Sequence, residues 1–274
     1  MAIITTDAIV LRRVQHSETS LICTFYTRDY GRLTAIAKGA RRQKSQFAGM
    51  LDLMDYLQIV AYTKETREVQ TLSSAEFVRT FNTLQSDIDR AGIGMVIIET
   101  IRKAIIGEEP HPEIFDLVAE TLSSLNDLEN PGIEILWWFH LHLASLLGFL
   151  PRFTECFQCG KNLSHGFFSA DTGQIHCEQC VIHQPGMIRL KNMDIRILKY
   201  LLEHPLDEID FPAVRSVLSK RNVQESSAAD VVEPGVLTGL IVKYLQYHVE
   251  GIGTLQSLNF FTTFSLHNSQ EIKD

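Results

Sequence analysis

No apolar run in this chain is long enough to cross a bilayer. The longest, Trp137–Leu150 (WWFHLHLASLLGFL), is interrupted by His140 and His142 and falls short of the roughly 20 residues a helical span needs. A stripe of this kind reads as buried core. The amino-terminal MAIITTDAIVLRR lacks the basic start, apolar block and small-residue cleavage site of a secretory signal. A cytoplasmic protein without a membrane partner is expected. Low-complexity segments and internal repeats are missing, and so are the signatures of common catalysis: no G-x-x-x-x-G-K-[ST], no G-x-S-x-G, no H-E-x-x-H. Gly92-Ile93-Gly94 lies inside a helical pattern without the rest of a dinucleotide fingerprint. The reading is a binding protein and not an enzyme.

Acids are missing from one place in particular. The chain has 25 Lys+Arg against 33 Asp+Glu, a net charge of −8. Yet between Asp29 and Asp52 there is no acid, while Arg32, Lys38, Arg41, Arg42 and Lys44 are basic. Four of these charges sit in the seven residues KGARRQK. Residues 1–80 hold 11 basic against 8 acidic side chains, or +3, and the remainder holds 14 against 25, or −11. An anionic partner should meet the amino-terminal region. A solvated turn would also be charged, but the lack of neighbouring acids favours phosphate contact.

The first 80 residues read as strands: Thr6–Val14, Thr19–Thr27, Arg32–Lys38, Met50–Tyr62 and Glu68–Val78 are rich in β-branched and aromatic residues. Five short strands suggest a small barrel, since closure removes exposed edges. An OB-fold and an SH3-like barrel both fit this pattern. After Phe81 the period becomes helical. Met95, Ile98, Ile101 and Ile105 share one face, as do Ile114, Leu117, Val118, Leu122 and Leu125. Further helices are expected over 133–147, 192–203, 211–219 and 234–249. The fold class is α+β: a barrel domain over 1–80, then a helical domain over 81–274 with a cysteine-bearing segment, 153–183, inserted in it.

Four of five cysteines form Cys156-x2-Cys159-x17-Cys177-x2-Cys180, the spacing of a four-thiolate zinc site. Two intervening residues let the backbone fold under one metal and aim both sulfurs at it. Gly160 follows the first pair, where a positive φ is often needed. Between the pairs, GFFSADTGQIHC alternates about Asp171-Thr172-Gly173 as a hairpin would. Redox pairs or disulfides fit less well in a cytoplasmic chain. Four thiolates fill a tetrahedral shell, so the zinc would be structural. His165, His176 and His183 then lie outside the ligand set, and Cys23 reads as a small buried hydrophobe.

KGARRQKS, LLGFLPRFTECFQCG, CEQC and the tail TLQSLNFF (Thr254–Phe261) occur in that order. Together they resemble the RecO family of bacterial recombination mediators over essentially the whole length. The resemblance implies an OB-fold, a helical domain and a zinc ribbon. It implies binding of single- and double-stranded DNA, annealing of complementary strands, and help to RecA in replacing single-strand-binding protein, with RecR as partner, near the nucleoid. Lys38, Arg41, Arg42 and Lys44 would contact phosphates, with Gly39 allowing a sharp turn and Arg32 and Arg12 extending the track. Arg12 and Arg13 must face opposite ways on their strand, so only one serves a given surface. Tyr26, Tyr30 and Phe47 are the nearest aromatics for base stacking, although such aromatics more often fill the barrel. The acidic, Phe-ending tail of single-strand-binding protein needs an apolar pocket and a cation; Arg102, Lys103 and Arg152 are candidates. The alternative is a zinc-ribbon protein that binds RNA or regulates.

Overall fold

The computed structural model describes residues 2–129, 131–182, 185–219 and 234–259. Asn130, His183 and the last two residues of the expected tail lie outside the described residues. The chain is an α+β protein. Its described residues form two compact units, one running to Asp127 and joined by 255–259, the other from Leu128 to Thr254.

The first unit is built on strands β1 (Ala2–Gln15), β2 (Leu21–Thr27), β3 (Gly31–Ala37), β4 (Tyr56–Thr63) and β5 (Gln70–Arg79). They close into a barrel in the order β1-β2-β3-β5-β4, with β3 and β5 parallel through Ala35↔Gln70 and Ile36↔Thr71. This order is that of the OB-fold, which resolves the choice between barrel types left open by the strand pattern. Val10, Cys23, Phe25, Ala35, Leu57, Ile59 and Leu72 fill the interior. Each large apolar side chain buried there contributes roughly 1.5–3 kcal/mol. Cys23 is a core residue as expected, and burial pushes its thiol up to about 11.

The strand expected from Met50 begins only at Tyr56. Residues 38–55 instead form a run of turns, in which Leu51 and Met54 adopt φ of 71° and 74°. No strand can pass through that left-handed region. Phe47 and Leu51 enter the barrel core and plug its end.

Helices α1 (Asn82–Ser86), α2 (Ile88–Ala104) and α3 (Pro112–Asp127) belong to the same unit as the barrel. Asp87 caps α2 by accepting from the N–H groups of Asp89 and Arg90. Arg90 donates to the carbonyl of Leu125 at the end of α3, at 2.6 Å. Arg28 grips Asp116 of α3 with two bonds of 2.9 Å. Tyr26 donates to the carbonyl of His111 and packs its ring against Phe115. These contacts cover part of the outer barrel face and explain why Ala8–Leu11 is apolar without alternation: Ala8 and Val10 face the barrel interior, while Ile9 and Leu11 are buried outside that core.

The second unit holds α4 (Ile133–Leu146), a three-stranded sheet, α5 (Asn192–Glu203), α6 (Phe211–Ser219) and α7 (Pro234–His248). Helix α4 packs on α5, α6 and α7, so the helices before and after the cysteine segment share a core. The two tryptophans are buried in it: Trp137 Nε1 donates to Thr238 Oγ1 at 2.9 Å, and Trp138 Nε1 to the carbonyl of His204 at 3.0 Å. His140 is wholly buried on α4, and desolvation pushes its pKa down to about 3, so it is neutral. Among the described residues no helix is long and apolar enough to cross a membrane.

Candidate nucleic-acid interface and metal centre

The basic loop owes its shape to apolar anchors below and backbone bonds within. After Gly39 (φ 72°), Arg42 N–H bonds the carbonyl of Gly39, Ser45 N–H that of Arg42 and Ala48 N–H that of Ser45, at 3.0–3.2 Å. Gln46 Nε2 donates to the carbonyl of Ser73 on β5, at 2.7 Å. With Phe47 and Leu51 buried, the polar side of the loop must face water, and Lys38, Arg41, Arg42 and Lys44 are all exposed. Among the described residues, none of the four forms an ion pair.

Arg41 differs from the other three. Its N–H bonds the carbonyl of Thr19, and its guanidinium donates to the carbonyls of Ser17 and Glu18 at 3.2 and 3.0 Å. It latches the β1–β2 loop to the basic loop, placing the former beside the charges. Asp52, which closes the acid-free window of the sequence, pairs with Arg13. That pairing singles out Arg12, which lies opposite Thr24 on the outer face, whereas Arg13 lies opposite the interior residue Cys23.

Two of the three stacking candidates are corrected. Phe47 fills the barrel end and Tyr26 is covered by α3; burial on the apolar side won in both. Tyr30 remains, 41% exposed in the turn between β2 and β3. The outer face also carries an apolar rung that the search for aromatics missed: Val14, Ile22 and Ile36 lie side by side on β1, β2 and β3. The alternation Arg32, Thr34, Ile36, Lys38 signals that face in the sequence.

The candidate partner cations are not alike. Lys103 pairs with Glu99 at 3.0 Å. Glu99 is buried and also accepts from the N–H groups of Gln256 and Ser257, at 3.1 and 2.8 Å, at the start of a helical turn over 256–259. Burial opposes ionisation of Glu99, but the Ser257, Lys103 and Gln256 donors outweigh it and hold its carboxyl below the usual range. A carboxylate at a helix start is electrostatically favoured, so Lys103 serves to hold the carboxy-terminal segment on α2. Arg102 is half-buried beside it, and Arg152 is exposed in the other compact unit.

In the second unit, β6 (Gly166–Ser169) and β7 (Gln174–His176) form the expected hairpin. A third strand, β8 (Met187–Leu190), pairs with β6 and extends the sheet beyond residue 183. The hairpin brings the second cysteine pair to the first: the four sulfurs lie within 4.8 Å of one another, and those of Cys159 and Cys177 are 3.9 Å apart. Sulfurs about 2.3 Å from a tetrahedral zinc would be about 3.8 Å apart, so the set fits a metal ion. Gly160 has φ 70°, and its N–H bonds the carbonyl of Cys156 at 2.8 Å, closing the first knuckle. Burial opposes ionisation of Cys156, but N–H groups of Cys177, Cys159 and Gln158 aimed at its sulfur bring it down to about 6. Cys180 is pushed up to about 12 by sharing its proton with the sulfurs of Cys177 and Cys159. Four sulfurs this close cannot all ionise without a cation to offset them. His165 lies 3.8 Å from Glu178 and His176 stands edge-on to Phe157, so neither joins the sulfur cluster.

A closed five-stranded barrel with a cationic loop on its lip, continued by helices and a four-cysteine ribbon, defines the α+β class of this protein. The chain belongs to the RecO family of DNA repair proteins. The family model described as Recombination protein O N terminal matches residues 1–81, and that described as Recombination protein O C terminal matches 85–257. The DNA repair protein RecO of Chlorobium limicola is 31% identical over 253 residues, spanning 90% of this chain and 93% of its own. That of Rhodopirellula baltica is 36% identical over 204 residues, 72% of this chain and 74% of its own. That of Salinibacter ruber is 39% identical over 151 residues, covering 55% and 58%.

Proposed function

We propose that this chain is a recombination mediator without catalytic activity of its own. It binds single- and double-stranded DNA through the 1–80 barrel, anneals complementary strands, and with RecR helps RecA onto DNA coated with single-strand-binding protein. The observation that carries this reading is the loop of Lys38, Arg42 and Lys44, exposed, unpaired among the described residues and held rigid over the barrel end. Annealing needs no chemistry on the bases. It requires that the repulsion between two polyanions be lowered while base edges stay free, which point charges on phosphates achieve without reading sequence. The acid-rich remainder of the chain limits wrapping and favours release of the duplex.

The four cysteines would hold zinc in a closed shell, so the ion supplies folding energy and no open coordination position. A cytoplasmic, nucleoid-associated setting follows from the substrate. For the tail of single-strand-binding protein, Arg102, Lys103 and Arg152 were the cations expected, and Lys103 is committed to Glu99. A groove of about 470 Å³ between α5 and α6 offers an apolar lining and one free cation among the described residues. Met193, Ile197, Val214 and Val217 form its apolar lining and the exposed Arg196 stands beside them, while Lys199 is paired with Glu203 in the same lining.

The test is annealing of complementary strands coated with single-strand-binding protein, comparing the chain with its Lys38→Ala, Arg42→Ala, Lys44→Ala variant. The mediator reading expects a large loss of rate in the variant. Equal rates, or tighter binding to structured RNA than to DNA, would favour the RNA-binding or regulatory alternative.

A further inference from the structure

The charges on the first unit do not end at the loop. Arg32 of β3 donates through Nη1 to the main-chain carbonyl of Arg102 in the last turn of α2, at 3.4 Å. Arg12 lies in the rung Arg12–Thr24–Thr34, one step along the same outer face from Arg32. Three arginines from β1, β3 and α2 thus meet where the helices stop covering the barrel. Among the described residues none of them forms an ion pair. Burial, then Arg102 and then Arg12 destabilise the charge on Arg32 and lower its pKa, as expected of neighbouring cations. Arg32 and Thr34 also border a cleft of about 410 Å³ whose far wall carries Asp29, Glu65, Glu68 and Glu108, with Lys64 among them. That acidic border repels phosphates from the cleft.

We propose that Arg12, Arg32 and Arg102 form a second phosphate site, joined to the basic loop by the outer face of β3, so that the track continues from the barrel onto α2. This rests on the DNA-binding reading above. Arg32, Thr34, Ile36 and Lys38 alternate along one face, and the six steps from Arg32 to Lys38 span about 20 Å at roughly 3.3 Å per residue. Between the two cationic ends lie the hydroxyls of Thr24 and Thr34 and the apolar rung of Val14, Ile22 and Ile36. A strand held by phosphates at both ends would lay its sugars and bases over that middle. Guanidinium groups suit the task, because each can bind phosphate through two parallel N–H bonds. Arg102 is thereby moved from the protein-partner candidates to the nucleic-acid track.

The experiment is salt-dependent binding of an oligo(dT) strand to the full chain, measured for Arg102→Ala, Arg102→Lys and the triple loop variant. Arg102→Ala keeps the carbonyl that Arg32 bonds, so circular dichroism should show an unchanged fold. Its expected effect is a several-fold loss of affinity at low salt, with the slope of log K against log salt reduced by about 0.7 for one lost contact. Arg102→Lys should restore the slope but only part of the affinity. If Arg102→Ala leaves the slope intact while the loop variant lowers it, the second site is refuted and the loop reading stands. If neither variant changes it, the DNA reading of the barrel falls and this site with it. If Arg102→Ala weakens binding of a glutamate-rich decapeptide and leaves DNA binding unchanged, the anion is a partner's carboxylate and the assignment is overturned.

Discussion

Replacing Lys38, Arg42 and Lys44 together by Ala isolates the electrostatic contribution of the basic loop. All three side chains are exposed, so the fold has little to lose, and the change in stability should stay within about 0.5 kcal/mol. If each contacts one phosphate, three counterions fewer are released. The slope of log K against log salt then flattens by about 2.1 on single strands and 2.7 on duplex. Between 50 and 200 mM salt, a fourfold rise, the unaltered chain should lose about 20-fold more single-strand affinity than the variant. Fluorescence anisotropy of a labelled oligonucleotide across that range reads the difference directly. Arg41→Ala supplies a contrast. It removes the bonds to Ser17 and Glu18, costing about 1 kcal/mol of stability, with at most one unit of counterion release. A triple variant that folds normally and keeps the full slope would refute the loop as the phosphate contact.

Metal analysis should find one zinc per chain, and a strong chelator or Cys159→Ser should lower the melting temperature; unchanged melting after metal loss would contradict a structural site. Phe47→Ala should cost about 3–5 kcal/mol in urea unfolding, since it empties the barrel end, whereas Tyr30→Ala should be nearly neutral for stability. A cost below about 1 kcal/mol for Phe47→Ala would mean that the loop is not anchored as described. Glu99 has a lowered folded pKa, so its contribution is complete above the unfolded value of about 4.3 and is lost as pH falls through the folded one. Glu99→Gln should therefore lower stability at pH 7 by about 1–3 kcal/mol and flatten the acid limb of the stability curve; a parallel acid limb would remove Glu99 from that role.

Local periodicity carried most of the secondary structure. The stripe Ile114–Leu125 becomes α3, the spacing of Cys156, Cys159, Cys177 and Cys180 becomes a cluster, and alternation in GFFSADTGQIHC becomes β6 and β7. What stayed hidden depends on residues far apart in the chain. The contact that fixes the barrel order is two residue pairs between β3 and β5, and nothing local selects that partner. Phe47 and Tyr30 are both aromatics in polar company, and only the turns that follow Lys38 decide which is buried. The window without acids is a property of sequence, whereas Arg13 finds Asp52 across a loop. Helical spacing showed Arg102 at the end of α2 but not that Arg32, seventy positions earlier, would lie against its carbonyl.

The four cysteines and the proposed DNA contacts fall in different compact units, and this limits what a metal held by the cysteines could do. The four cysteines belong to the unit from Leu128 to Thr254, while the basic loop and the arginine cluster belong to the barrel's unit. The barrel closes on its own strand ladder and its own apolar plug, and no thiolate contributes to either. An ion in a closed four-sulfur shell has no open position from which to reach a phosphate. Metal loss should therefore act through the stability of its own unit and leave the salt slope of DNA binding, which counts charges on the barrel and α2, unchanged. A slope that fell on chelation while the barrel stayed folded would require the ribbon to touch DNA, and the phosphate track would have to be extended to include it.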